Sequence, residues 1–227
     1  MTADIFGFNA VQIGLPQINA LAANRMPNKW LTETIVPSEQ PAGGTMPIVL
    51  VHDFAELPFA SQSLDLIVLP HVLEFAEEPH QVLREVERVL IPEGRVVICG
   101  FNPLSLWGAR QAAGRMTGTP FLPQHGDLIH LPRLKDWLKL LNMEVNRGHF
   151  GCYTPPCHTE KWLHRFEFMD RAGDRWWPSL GAVYILQAIK RVKGMRLIGP
   201  AWRRQTIKAV NGVAATNRIR RKAPHEQ

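Results

Sequence analysis

Residues 49–103 read VLVHDFAELPFASQSLDLIVLPHVLEFAEEPHQVLREVERVLIPEGRVVICGFNP. This stretch decides the fold. Ile48 to Val51 is apolar and β-branched, bounded by Pro47 and Asp53, and reads as a strand. Residues 64–69 (LDLIVL) and 96–99 (VVIC) read the same way. Runs this short, apolar at nearly every position, are parallel strands buried on both faces. Between the last two, Pro79 suits a first helical turn. Val82, Leu83, Val86, Val89 and Leu90 then recur at helical spacing, while Arg84, Glu85, Glu87 and Arg88 face away. Pro92-Glu93-Gly94 closes the helix with a turn. Strands alternating with a crossover helix predict a doubly wound α/β sheet. Ligands of such sheets bind beyond the carboxyl ends of the strands. Here those ends carry Asp53, Leu69-Pro70-His71 and Gly100-Phe101-Asn102-Pro103.

The stretch resembles the class I S-adenosylmethionine-dependent methyltransferases, type 11 group. The residues that carry the likeness are Asp53-x-x-Glu56-Leu57-Pro58-Phe59, Ser63-Leu64-Asp65-Leu66-Ile67-Val68 and His71-Val72-Leu73-Glu74, followed by Leu83-Arg84-Glu85 and Arg88-Val89-Leu90-x-Pro92-x-Gly94-Arg95. Order, spacing and residue type agree over about fifty positions, where any one piece alone would be weak. The segments IFGFNAVQIG and CGFNP look like a small bacterial branch of that group. The resemblance implies a mostly parallel, seven-stranded, Rossmann-like sheet whose last strand runs antiparallel. It implies S-adenosylmethionine as cofactor. Asp53 matches the carboxylate that reads the adenine edge; an acceptor-only group suits adenine's exocyclic amine. Phe54 would lie near the adenine face. Leu69, Pro70 and His71 match the loop that passes the methionine end of the cofactor, and His71 is the candidate base. His125 and Tyr153 are weaker candidates. The bland reading of Asp53 is a turn cap, and of His71 a loop histidine.

The chain departs from the family upstream. A G-x-G-x-G turn should follow the first strand and let backbone approach the cofactor. Residues 9–16 (NAVQIGLP) keep Gly14 alone, and Pro16 has no backbone N–H to donate. An acidic residue ending the second strand should bind the ribose hydroxyls; residues 29–38 offer Glu33. Met1 stands close before the first strand, where the resemblance implies a preceding helix, so either Met1 is a late start or the fold is trimmed at its N-terminus.

Downstream, residues 107–110 (WGAR) start a helix, residues 120–130 read as a loop, and Leu134, Trp137, Leu138 and Leu141 share one helical face. Residues 142–145 lead into the sixth strand and residues 181–188 resemble the seventh. Between them, residues 150–178 form a lid insertion. His149, Cys152, Cys157 and His158 could make a two-Cys, two-His zinc site. Their spacing matches no common finger, so no metal is expected. Trp162, Phe166, Phe168, Trp176 and Trp177 would line a pocket for a flat or apolar acceptor, or simply pack as core.

The chain has 227 residues, enough for one α/β domain with additions. A methyltransferase-like domain over residues 1–191 and a basic, partly disordered extension over 192–227 are expected. Three cysteines argue against a disulfide framework, and no secretory or membrane-spanning pattern is read, so a cytoplasmic location is expected. Residues 37–47, rich in Pro and Gly, read as a flexible loop. The formal net charge of +6 comes from the far end: eleven of 26 Lys and Arg, but one of 20 Asp and Glu, lie from Trp176 onward. That asymmetry points to a polyanion, either RNA or an anionic membrane surface. Residues 190–208, with Trp202, read as an amphipathic basic segment.

Three readings follow, in order. The first is methyl transfer to a small or apolar acceptor. The second is a non-catalytic methyltransferase-like binding module, favoured by the eroded glycine turn. The third is an RNA methyltransferase that uses the basic tail for affinity. The third lacks an N-P-P-[YF] motif; Phe101-Asn102-Pro103-Leu104 echoes it on the wrong strand.

Overall fold

A computed structural model describes residues 1–33, 48–51, 53–119, 126–156 and 168–192. The loop 37–47, His125, Cys157, His158, Trp162, Phe166 and the chain beyond Val192 lie outside the described residues. Those described belong to one compact unit, Met1–Lys193.

Seven strands form one sheet: β1 (Asn9–Ile13), β2 (Asn28–Glu33), β3 (Ile48–Val51), β4 (Leu64–Pro70), β5 (Leu90–Phe101), β6 (Met143–Gly151) and β7 (Val183–Lys190). Their order is β3-β2-β1-β4-β5-β7-β6. The first five run parallel, and β7 lies antiparallel between β5 and β6. The helices are α1 (Pro79–Val89), α2 (Leu106–Thr117), α3 (Leu131–Leu140) and α4 (Phe168–Trp176). The seven-stranded, Rossmann-like sheet expected from the sequence is the one observed. β5 is longer than the expected 96–99, because the Pro92–Gly94 turn sits within it, with Glu93 in the left-handed region.

Helix α1 forms as its periodicity dictates. Val82, Leu83, Val86 and Val89 are its buried residues. They join Leu134 and Leu138 of α3 and Val11, Ile67, Val96 and Tyr184 of the sheet in the main core. A smaller core holds Ala10, Leu66, Val68 and Val97 under Ile5, Leu21 and Met26. The connections from β1 to β2 and, over residues 53–63, toward β4 contain turns and no α-helix.

Several motif residues hold the chain together. Asp65 Oδ2 accepts from the amides of Phe8 (3.0 Å) and Asn9 (2.9 Å), fixing the start of β1. The Leu57-Pro58-Phe59 turn is clamped by one ion pair on α1. Arg88 donates to the carbonyls of Leu57 and Phe59, and Glu85 accepts from the Leu57 amide. The Arg88 hydrogen bonds hold the Glu85 carboxyl below its ordinary range.

The end of β7 corrects one expectation. Lys190, read from the sequence as the start of an amphipathic basic segment, is instead the last residue of β7. It is buried, and its Nζ donates to the carbonyls of Glu87 and Leu90 at the C-terminal end of α1 and pairs with the Glu87 carboxylate at 2.9 Å. A cation there also meets the negative end of the helix dipole. Arg191 pairs with Glu144 and Glu93. No helix among the described residues is long and apolar enough to cross a membrane.

Candidate active site

A cavity of about 720 Å³ opens at the carboxyl ends of β1, β2, β3 and β4. Gly14, Glu33, Asp53, Phe54, Pro70 and His71 line it. Of the residues expected to hold a cofactor, Leu69 alone is misplaced: it is fully buried in the main core. Successive residues of a strand point to opposite faces, so Leu69, next to the last residue of β4, turns its side chain away from the outlook of Pro70. Glu33 does reach the site. Sequence reasoning gave it little weight because only the sheet order brings the ends of β2 and β3 together.

The single glycine occupies the position that needs one. Gly14 has φ +74°, and a Cβ there would lie 3.2 Å from Val72 Cγ2 and 3.4 Å from Phe54 Cζ. Leu15 follows it in the left-handed region at φ 52°. The Gly14 amide is already engaged, donating to the Thr32 carbonyl at 2.7 Å. The turn that replaces the missing glycines is organised by a side chain. Gln12 is buried; its Nε2 donates to the carbonyls of Gly14, Leu15 and Ile18, and its Oε1 accepts from the Ala20 amide. Gln12 therefore supplies, from one carboxamide, the order that a following helix would impose.

Asp53 fits both its readings. Its Oδ1 accepts from the Ala55 amide at 2.9 Å, a local turn, while the residue lines the cavity. Glu33, Asp53, Glu77 and Glu78 give the cavity four carboxylates, and no Lys or Arg stands among its described lining residues.

His71 sits at the junction of β4 and β5. Its backbone is left-handed (φ 55°), its amide donates to the Cys99 carbonyl, and its ring lies 4.2 Å from that of Phe101. Its Nδ1 donates to Glu74 Oε2 at 2.8 Å. Glu74 is buried, and its other oxygen accepts from the Phe101 amide. A non-glycine residue held at positive φ by several bonds marks a position where the surroundings impose the geometry. An ionised carboxylate accepts only, so it fixes the proton on Nδ1 and leaves Nε2 as the acceptor. Glu74 was quoted from the sequence as part of a motif, without a role. Burial, reinforced by the Glu74 charge, pushes the nearby Cys99 thiol up to about 11.

Glu74 also lines a second cavity, of about 660 Å³, with Leu73, Pro103, Ile129, Arg133 and Trp137. Arg133 lies over the Trp137 ring at 5.0 Å, and His80 is 4.0 Å from it.

Part of the chain is similar to a known family. Residues 31–98 match the family model described as a methyltransferase domain. The sheet has the methyltransferase fold, and the matched segment is similar to the type 11 group. The methyltransferase fold is also seen in a Thermotoga maritima protein described as a possible histamine N-methyltransferase: TM-score 0.59, 14% identity, covering 83% of this chain and 84% of that one. A chain from the complex of the Haloferax volcanii Trm112 methyltransferase activator matches equally, with TM-score 0.59, 14% identity and coverage of 84% and 87%. The [4+2]-cyclase SpnF shares the fold at TM-score 0.51 and 17% identity, covering 84% of this chain and 77% of its own. The uncharacterized protein YafS of Escherichia coli is 36% identical over 147 residues, 64% of this chain. The chain spans 56% of that relative's length.

The remaining sequence candidates fall elsewhere. Tyr153 is buried, its amide donates to Asp170 Oδ1, and its ring packs at Gly173 of α4; it lines neither cavity. Asn102 donates its side-chain amide to the carbonyls of Ser179 and Gly181, so it is a strut of the methyltransferase sheet rather than a base-reading group. Trp107 Nε1 and Arg110 on α2 donate to the carbonyls of Thr154 and Pro156, anchoring the start of the insertion. Among the described residues no cluster of three His, Cys, Asp or Glu could hold a metal ion.

Proposed function

We propose that the chain binds S-adenosylmethionine in the carboxylate-lined cavity and transfers its methyl group to a small or apolar acceptor. The observation that carries this reading is the convergence of Gly14, Glu33, Asp53, Pro70 and His71 on one cavity from the ends of four strands. The residues present suit the cofactor. Glu33 offers acceptors for ribose hydroxyls, Asp53 for the adenine amine, and four carboxylates favour a ligand bearing a sulfonium and an ammonium. When bound, that cofactor supplies an electrophilic methyl group.

The chain's own residues then have two tasks. The walls align an acceptor atom with the methyl carbon, a contribution of orientation rather than bond-making. His71 takes the acceptor's proton at Nε2, with Glu74 holding the ring by Nδ1. His71 lines the cofactor cavity, so the part of that cavity beside its ring is the space we assign to the acceptor. The acidic lining disfavours an RNA strand at the mouth, which places the RNA reading behind this one.

A non-catalytic module remains the second reading, favoured by the single glycine and by the Gly14 amide being engaged in the sheet. Calorimetric titration with S-adenosylmethionine and S-adenosylhomocysteine separates the two. Micromolar binding, lost in Asp53→Ala and Glu33→Ala, supports the enzyme. A folded chain that binds neither compound overturns it.

A further inference from the structure

Two turns meet at the carboxyl edge of the sheet, beside β5 and β7. Asn102 stitches them, through its side-chain bonds to Ser179 and Gly181 and its backbone bond to Ala182. One turn exposes Leu104 and Leu106, the other Trp176, Trp177 and Leu180. Trp176 is 71% exposed and Trp177 57%, although indole is among the costliest side chains to leave in water. Single exposed apolar residues are ordinary, but five large ones on two joined turns mark a contact surface.

The sequence beyond Val192 supplies the complementary feature. It holds nine Lys or Arg, one acid and a single Trp, Tyr or Phe, Trp202.

We propose that the rim of Leu104, Leu106, Trp176, Trp177 and Leu180 docks on an anionic lipid bilayer surface, with the basic segment adding electrostatic attraction. Indole and leucine at the apolar–polar boundary, together with clustered cations, are the two signals that hold a protein on such a surface. Nucleic acid would exploit the charge but not the leucines, and one aromatic residue in the basic segment provides little base stacking. The rim lies at the β5–β7 side of the sheet edge whose β1–β4 side carries the carboxylate-lined cavity, so docking would bring that edge near the lipid while the acidic mouth stands to one side of the contact. An acceptor dissolved in the bilayer then becomes the natural class. That last step rests on the proposed methyl transfer; the docking does not.

The test is sedimentation of the full chain with phosphatidylcholine vesicles, with and without phosphatidylglycerol. Binding to the anionic vesicles is expected, weakened by salt. A fall of about tenfold is expected in W176S/W177S, and likewise in R203E/R204E, since each removes one of two required signals. L104S/L106S replaces the tryptophan pair if that variant unfolds. Absence of binding to anionic vesicles overturns the proposal. So does full binding by a folded rim variant, or RNA binding that exceeds vesicle binding and ignores the rim. Titration with S-adenosylmethionine in the absence of lipid keeps the two proposals apart, because the cofactor can bind whether or not the vesicles do.

Discussion

Glu74 and His71 are joined by a 2.8 Å hydrogen bond, with the carboxylate side chain almost wholly inside the protein. The same carboxylate accepts from the Phe101 amide and forms part of the wall of a second cavity. One side chain thus ties the ends of β4 and β5 together and sets the proton position on the ring.

Glu74→Gln keeps the shape and one acceptor oxygen but no longer dictates the tautomer. Methyl transfer is expected to fall by about a hundredfold, the lower range for loss of acid–base assistance, with cofactor affinity little changed. His71→Ala should lower the rate alike, and should also weaken cofactor binding because the ring lines the cofactor cavity. Rate measurements across pH, beside calorimetry, check this: a fall with an unchanged pH profile would make the pair structural only.

Glu33→Ala and Asp53→Ala should each weaken S-adenosylmethionine binding by about ten- to a hundredfold, since hydrogen bonds to charged groups contribute about 1.5–3 kcal/mol. Folding should be retained, because both residues lie at the mouth rather than in the core. Titration of each variant reads the effect directly.

Gly14→Val places a β-branched residue at φ +74° and 3.2 Å from Val72 Cγ2. A cost of about 1–3 kcal/mol in stability is expected from the backbone alone, with a further loss of cofactor affinity. Gly14→Ala should cost less on both counts. Denaturant unfolding and titration separate the two effects.

Gln12→Leu removes the amide that holds the turn after β1 and leaves one buried and two partly buried carbonyls without this donor. A loss of about 1–3 kcal/mol is expected. If the turn supports the cavity, affinity for the cofactor falls as well, whereas a change at a distant core site would not move it.

Stability should decline in base. Burial raises the Cys99 thiol from 9.0 to about 11, and burial also raises the Tyr184 phenol. Between 9 and 11 the unfolded chain has already lost the Cys99 proton that the folded chain keeps. The contribution is therefore complete below pH 9 and disappears as pH rises through 11. Cys99→Val should flatten that decline in unfolding measured against pH.

The local pattern carried most of the fold. The period of α1 and the strands at 48–51 and 64–70 are properties of a few consecutive residues, and they form where the apolar spacing places them. Asp53, Pro70 and His71 were legible because strand ends and turns are short-range features. Leu69 shows the limit: its place next to the mouth is sequential, but the pleat turns its side chain into the core. Glu33 was named from the sequence but without its setting, and the roles of Gln12 and Lys190 lay beyond reach for another reason. Each acts through partners that only the strand order and chain return bring near, Glu33 beside Asp53 across the sheet, and Lys190 against a helix end about a hundred residues earlier.

The sequence alone determined which segments are strands and helices, the family they resemble and the edge of the sheet where chemistry belongs. The tertiary structure alone decided that a buried carboxylate orients His71, that four carboxylates face one cavity and that Trp176 and Trp177 stay outside. Hydrophobic period is written in neighbouring residues, whereas burial and hydrogen-bond partners are properties of distant segments brought together by the sheet.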